Sequence, residues 1–369
     1  MNRSKLKMLM KKQNIFFINR CLLVSKIYRY FSVLFEMKYT IQYVNNMKKL
    51  YLLIAVILPV MFLSAQQEAQ FTQHNYAILP FNPGYAGSNG AICLTSLVRQ
   101  QWMGFQDPNG ESTSPQSILF TLDAPVKILR GGLGLTIMKD KLGYEDNINL
   151  KLGYAYRLNI GMGTLGLGVQ AGLQNKTIDF TKFVPIEEGD QRIIGKSQES
   201  DMVFDISFGA FYKVPNQYYV GIASTQMLEQ EGNESSTGIE LKRHYFINGG
   251  YEWVYPNNPS LVFEPSVFIK TDFVSAQYDV SAIAKYNGQF WGGLSYRFQD
   301  AVALVLGVRP FLTGSMAGLH IGYSYDFTTS DLGRQGRSIG SHEIMLRFCF
   351  NIERQPVFHS YKNTRMLGN

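Results

Sequence analysis

His342-Glu343-Ile344-Met345-Leu346-Arg347-Phe348-Cys349-Phe350-Asn351-Ile352 alternates without a break: Ile344, Leu346, Phe348, Phe350 and Ile352 fall on one face and Glu343, Met345, Arg347, Cys349 and Asn351 on the other. A side-chain period of two is that of a β-strand, because successive Cβ atoms point to opposite sides of the backbone. The same division recurs upstream. Asn147–Leu158 sets Ile148, Leu150, Leu152, Tyr154, Tyr156 and Leu158 against Asn149, Lys151 and Arg157, and Ala317–Phe327 sets Leu319, Ile321, Tyr323 and Tyr325 against His320, Ser324 and Asp326. In all, fourteen segments follow this pattern, roughly 91–103, 116–126, 132–140, 147–159, 165–176, 203–214, 217–226, 243–254, 261–270, 276–286, 289–298, 301–309, 316–326 and 342–352. Alternation alone fits a soluble sandwich as well as a membrane barrel, so length, number and export must decide. Most segments hold about ten residues, enough when tilted to cross ~25 Å of hydrocarbon, and an even number of antiparallel strands closes a bacterial outer-membrane barrel without leaving an edge. The expected fold is therefore all-β: a transmembrane antiparallel outer-membrane β-barrel of about 14 strands over residues 91–352.

Export is written in the leader. Met47-Lys48-Lys49, the apolar run Leu50–Leu63 and Ser64-Ala65 have the order of a signal peptide over 47–65, cleaved after Ala65. The run is too short for a confident helical span, and no later stretch of about 18 apolar residues supplies one. Residues 1–46 read as an upstream extension, with Met47 the start of translation, or else as a long n-region. The leader also distorts the charge. Of 35 Lys+Arg and 28 Asp+Glu, 11 and one (Glu36) lie in 1–65, which leaves 24 against 27 in the remaining 304 residues. The apparent +7 of the whole chain becomes about −3, and nucleic-acid binding loses its support.

Connections give an independent check, since such barrels have short periplasmic turns and longer outer loops. The longest links, near 104–115, 177–202, 227–242 and 327–341, all follow odd-numbered segments. Even-numbered ones end in tight links such as Gly161-Met162-Gly163-Thr164, Val214-Pro215-Asn216 and Asn287-Gly288. Both ends of the barrel sequence are thus expected in the periplasm. Tyr154, Tyr156, Tyr245, Tyr251, Trp253, Tyr278, Tyr286, Tyr296, Tyr323 and Tyr325 fall on outward faces, as interface girdles against outer-membrane lipid require. The inward set Lys151, Arg157, Glu252, Asp279, Lys285, Arg297, Arg309, Asp326, Glu343 and Arg347 mixes both signs. A selective pore presents one sign at its constriction, so this pattern predicts a lumen partly filled by paired side chains.

Residues 66–90 are polar and aromatic with little alternation, and are expected as a periplasmic N-terminal segment, below the barrel or tucked into its mouth; 353–369 form a tail on the same side. Cys93 and Cys349 point inward at the turn ends of the first and last strands, which closure makes neighbours, so a seam disulfide is expected there if the register allows. No catalytic constellation stands out: His320 and Ser324 share a face but lie about 13 Å apart along an extended strand. Gly340-Ser341-His342-Glu343 offers too few ligands for a metal. Gly131-Gly132-Leu133-Gly134 precedes a strand and lacks Lys-Ser/Thr, so it is no phosphate loop, and no cofactor motif remains.

An ordered set of short motifs adds a family resemblance. Gln70-Phe71-Thr72-Gln73, Asn82-Pro83-Gly84-Tyr85-Ala86-Gly87-Ser88, Arg99-Gln100-Gln101-Trp102-Met103-Gly104-Phe105, Arg243-His244-Tyr245, Trp291-Gly292-Gly293-Leu294-Ser295-Tyr296-Arg297, Tyr323-Ser324-Tyr325-Asp326 and Gly340-Ser341-His342-Glu343-Ile344 together resemble the PorP/SprF outer-membrane proteins of the type IX secretion and gliding machinery of Bacteroidetes. The resemblance spans essentially the whole exported chain. It implies a non-enzymatic barrel needed for secretion or surface anchoring of cargo proteins with a C-terminal sorting domain, in some members a gliding adhesin. The periplasmic segment would then meet other type IX components, while the outer loops or barrel mouth hold the cargo. The residues it marks as candidate partner contacts are Asn82, Pro83, Tyr85, Gly87, Arg99, Trp102, Gly104, Phe105, Arg243, His244, Trp291, Arg297, Asp326, Gly340, Ser341, His342 and Glu343. Arg99, Trp102 and Arg297 serve equally as barrel lining. The alternative function for the same fold is an outer-membrane channel for small solutes.

Overall fold

The computed structural model describes residues 68–107, 110–183, 197–230, 241–310, 318–331 and 338–350. Fifteen strand segments run in chain order: β1 (Ile92–Gln100), β2 (Gln116–Val126), β3 (Gly131–Leu142), β4 (Glu145–Ile160), β5 (Gly163–Asp179), β6 (Gln198–Val214), β7 (Tyr218–Thr225), β8 (His244–Tyr251), β9 (Trp253–Val254), β10 (Leu261–Thr271), β11 (Ala276–Tyr286), β12 (Phe290–Arg297), β13 (Ala301–Val308), β14 (Leu319–Thr328) and β15 (Ser341–Phe350). Each pairs antiparallel with its neighbours, and β15 returns to β1 from Ile92↔Phe350 to Gln100↔His342, so the sheet is closed. β8 and β9 are two pieces of one wall strand, which makes fourteen. The interruption at Glu252 falls beside Pro265 of β10, which the register sets opposite Tyr251 and which has no N–H to offer the ladder.

The faces are inverted relative to a soluble protein. In β15, Ile344 and Leu346 are 51% and 48% exposed while Glu343 and Met345 are fully buried. Leu150 and Leu152 of β4, Leu167 and Val169 of β5, and Val220 and Ile222 of β7 continue the exposed band. In water each such side chain would forgo roughly 1.5–3 kcal/mol of burial, so a continuous belt of them is stable only against lipid.

Long links 101–115, 180–197, 226–243 and 329–340 leave one rim, here the loop rim; 127–130, 161–162, 215–217, 255–260 and 287–289 close the other, the turn rim. One link departs from the expected segregation: β14 starts at Leu319 rather than 316, so ten residues, 309–318, follow β13 on the turn rim. β4, β5 and β6 are also longer than expected, at 16, 17 and 17 residues. They carry the ladder past the apolar belt through polar cross-strand contacts, with Asn175 Nδ2 and Thr177 Oγ1 donating to Ser200 Oγ at 2.9 and 3.1 Å. Hydrophobic alternation stops where lipid stops, so it underestimates strands that continue into water.

The largest departure concerns the N-terminal segment, which is inside the barrel, not below it. Asn89 and Gly87 bond Asp123 near the turn end of β2, Thr72 and Gln73 bond Glu343 near the loop end of β15, and Glu68 meets Thr225 at the loop end of β7. The chain therefore runs the length of the lumen before turning back into β1. Phe71, Ala77 and Phe81 pack on Leu97, Phe246, Phe268 and Met345; Ile78, Leu79, Tyr85 and Ala86 pack on Ala155 and Phe211. The only sizeable apolar core among the described residues lies between this plug and the wall.

At the turn end of the seam Cys93 and Cys349 face each other in register, with Cα atoms 4.1 Å apart, and are joined as a disulfide. Non-reducing peptide mapping is expected to recover one linked pair and no free thiol in 93 or 349. The Cys93→Ser/Cys349→Ser protein is expected to lose about 2–4 kcal/mol of stability while keeping the seam ladder. Free thiols in the native protein would refute the link. The leader, the cleavage site after Ala65 and the tail 353–369 lie outside the described residues.

Candidate functional site

Near the loop rim the wall presents charge to the plug. Arg99 on β1, Arg297 on β12, Asp326 on β14 and Glu343 on β15 come from strands contiguous only because the barrel closes. Arg99 Nη2 lies 2.7 Å from Asp326 Oδ2 and Nη1 lies 3.3 Å from Glu343 Oε2. Arg297 reaches Asp279 at 3.2 Å, Asp300 at 3.2 Å and Asp326 at 3.3 Å. The group is sealed: Arg99 and Asp326 are each 1% exposed and Glu343 is 0%. Charges this dry are tolerable only when every one is paired and hydrogen-bonded.

The plug completes the pairing. The Glu343 carboxylate accepts the backbone N–H groups of Thr72 and Gln73 at 2.8 and 2.9 Å. The Thr72 hydroxyl donates to Asp326 and accepts from Arg99, each at 2.8 Å. Four sequence candidates thus converge on one cluster, and what they grip is a segment of their own chain. Thr72 and Asp279 are part of the same cluster but were not singled out from sequence. Asp279 was legible as inward, whereas nothing in the sequence connects Thr72 to strands 27 to 271 residues away.

A second group seats the plug near the turn rim. Asn82 caps the short 3-10 turn Pro83–Tyr85 by accepting from Gly84 N at 2.9 Å, and its Nδ2 donates to the Ala210 carbonyl at 3.0 Å. The turn lies on Gly168 of β5 and Gly209 of β6. A Cβ at Gly168 would fall inside the Pro83 backbone, and one at Gly209 inside the Asn82 amide. Glycine is needed at Gly168 because backbone meets backbone there, and at Gly209 because the Asn82 side chain fills the space a Cβ would take. Arg157 donates to the Ala86 carbonyl at 3.1 Å, Lys151 to that of Pro80 at 3.3 Å, and Asp123 accepts from Gly87 N and from Asn89 at 2.8 Å. Asn82, Pro83, Tyr85 and Gly87 are therefore plug residues buried against the wall.

The other candidates are dispersed. Trp102, Gly104 and Phe105 open the first loop beside Gly340 and Ser341: Trp102 N donates to Ser341 Oγ at 3.0 Å and Met103 N to the Gly340 carbonyl at 2.8 Å. His342 faces outward, its Nδ1 2.8 Å from the Tyr323 hydroxyl in the aromatic girdle. Arg243 and His244 stand at another part of the rim, Arg243 3.6 Å from Glu229 and His244 bound to Gln226. Trp291 lies in the lumen, 5.9 Å from the Tyr76 ring. At the loop rim Lys182 pairs with Glu111 at 2.8 Å and Tyr144 donates to Asp107 at 2.5 Å. That Asp107 bond pushes the half-buried Tyr144 hydroxyl up to about 12. Glu187, Glu188, Asp190, Arg192 and Lys196 of the longest loop lie outside the described residues.

A lipid-facing closed barrel with a lumen occupied by its own chain defines an integral outer-membrane protein. The chain belongs to the PorP/SprF family, type IX secretion system membrane proteins, whose family model matches residues 63–348. No curated protein matches it in sequence. Solved structures resemble it in fold alone. Omp33 of Acinetobacter baumannii is 9% identical, with TM-score 0.39 over 70% of this chain and 99% of that one. A mutant of the monoaromatic hydrocarbon channel TodX is 12% identical, with TM-score 0.45 over 75% and 94%. The toluene transporter TbuX of Ralstonia pickettii is 11% identical, with TM-score 0.43 over 75% and 94%.

Proposed function

We propose that this protein is a non-enzymatic outer-membrane component of type IX secretion, needed for secretion or surface anchoring of cargo proteins with a C-terminal sorting domain. Family membership carries this reading. The lumen agrees with it, since a segment held by buried ion pairs and a glycine seat is a poor conduit for solutes. The plug also moves the expected partner contacts. Residues 69–87 are largely buried, so type IX components on the periplasmic side would meet the turn rim, with its links 127–130, 161–162 and 215–217. Cargo would meet the loop rim, where Trp102, Tyr144, Lys182 and Arg243 stand.

A gentle pull-down of the tagged protein from detergent-solubilised outer membrane is expected to recover a large secreted protein through its C-terminal domain, together with type IX components. A clean monomer that conducts stably in planar bilayers would transfer support to the channel alternative.

A further inference from the structure

Beside the plug, reaching from Thr72 and Gln73 to residues at the turn end of the lumen, lies a cavity of ≈ 830 Å³ counted with its open mouth. Water reaches it, since the lining side chains of Lys285 and Glu252 are 30% and 33% exposed. Its charges do not balance. Lys213, Lys285 and Arg347 line it with Glu252 and Glu264, and Lys285 engages both carboxylates. Among the described residues no carboxylate lies within ion-pair distance of Arg347. Its guanidinium instead sits 5.5 Å over the Tyr76 ring, interacts with the Tyr85 hydroxyl and donates to Cys349 Sγ at 3.2 Å and Cys93 Sγ at 3.6 Å, neutral partners that leave the cation without a carboxylate in contact.

A second, independent observation comes from Trp291. It is 7% exposed, lines the same cavity, and its indole Nε1–H has no acceptor among the described residues. Gly307 fixes the ring, because any side chain there would occupy the space of the indole. Tyr76 touches both groups, its ring 5.9 Å from Trp291 and 5.5 Å from the Arg347 guanidinium. Buried donors without acceptors are costly and mark places where a partner is missing. The facing wall is aromatic: Tyr85 lies edge-on to Phe211 at 5.2 Å and Tyr219 stacks on Phe211 at 5.7 Å.

We propose that this vestibule binds a carboxylate attached to an aromatic or apolar group, with Arg347 and Trp291 as the carboxylate donors and the Tyr85–Phe211–Tyr219 wall receiving the ring. A small aromatic acid and the free C-terminus of a peptide both present this chemistry. The proposal stands on cavity geometry and is independent of the secretion reading.

The test uses full-length protein with Trp102→Phe and Trp253→Phe, which leaves Trp291 as the single indole. Hydrocinnamate and an acetylated peptide ending in phenylalanine with a free carboxylate are each titrated against their amides. Saturable changes in Trp291 emission are expected for the acids, with the amides roughly tenfold or more weaker, the scale of one charge-assisted hydrogen bond. Arg347→Gln is expected to erase the acid–amide difference while the barrel keeps its heat-modifiable migration. A response to the peptide alone assigns the site to chain termini, and one to hydrocinnamate alone assigns it to small acids. No response to either acid, or equal binding of acid and amide by the unsubstituted site, overturns the proposal whether or not Arg347→Gln folds.

Discussion

Gly168→Val is expected to unseat the plug and turn a closed barrel into a conducting one. The two added methyl groups and the Cβ enter the space of the Pro83 backbone, with Gly84 directly behind it. Neither backbone can yield as a flexible side chain would, so the turn Pro83–Tyr85 must leave its seat on β5 and β6. Overpacking costs about 1–3 kcal/mol where side chains can adjust, and a backbone collision sits at or above the top of that range. Leaving the seat also breaks the Asn82 bond to the Ala210 carbonyl and strips the burial of Tyr85 against Phe211. Planar-bilayer recordings should show conductance for Gly168→Val that is absent from the parent, and limited chymotrypsin digestion should cut at Tyr85 or Phe81. Gly249→Ala is the control, because a Cβ there meets only Tyr219 O at 3.5 Å and Val267 at 3.9 Å. If Gly168→Val stays sealed and resistant, the seat does not hold the plug.

Arg99→Leu is expected to be the most destabilising single substitution in the wall. Arg99 contacts Asp326, Glu343 and the Thr72 hydroxyl at once, and all are buried. Without it Arg297 is the nearest remaining guanidinium in the cluster, already shared among Asp279, Asp300 and Asp326. Removing one member of a buried ion pair costs about 3–5 kcal/mol because the other is left charged and dry. The loss should appear as a lower denaturant midpoint for unfolding in detergent, with the folded band disappearing at lower temperature. Arg99→Leu combined with Glu343→Leu removes the excess charge as well as the cation, and is expected to be less destabilising than the sum of the two singles. A loss below about 1 kcal/mol for Arg99→Leu would mean that the cluster is hydrated and does not hold the plug.

The barrel was legible because lipid imposes a rule that sequence must obey residue by residue. Ile344, Leu346 and Phe348 had to alternate with Glu343, Met345 and Arg347 whatever the rest of the chain did. The parity of long and short links followed from the same strand count. Where that rule lapses, legibility lapsed with it. The outer ends of β5 and β6, bonded through Asn175, Thr177 and Ser200, lie beyond the belt and read as loop. Arg309 and Gly318, read as strand ends, lie outside β13 and β14.

The candidate site was visible only as fragments. Arg297, Asp326 and Glu343 were recognisable as inward charges and Arg99 as either barrel lining or a partner contact, so their convergence needed only closure. The fate of Gln70–Gly87 was not recognisable. A segment with mixed aromatic, polar and glycine residues and no period has no preferred face until another surface supplies one. Thr72 and Asn82 acquire meaning from Glu343, Asp326 and Ala210, partners more than a hundred residues away. Local sequence determined the strands, their faces, their number and the environment those faces demand, because each depends on a two-residue period and on export. Tertiary structure decided that the N-terminal segment fills the lumen, that Cys93 meets Cys349, and that among the described residues Arg347 has no carboxylate in ion-pair contact and the Trp291 indole N–H no acceptor. Those outcomes depend on register and closure, which bring together groups that no local pattern relates.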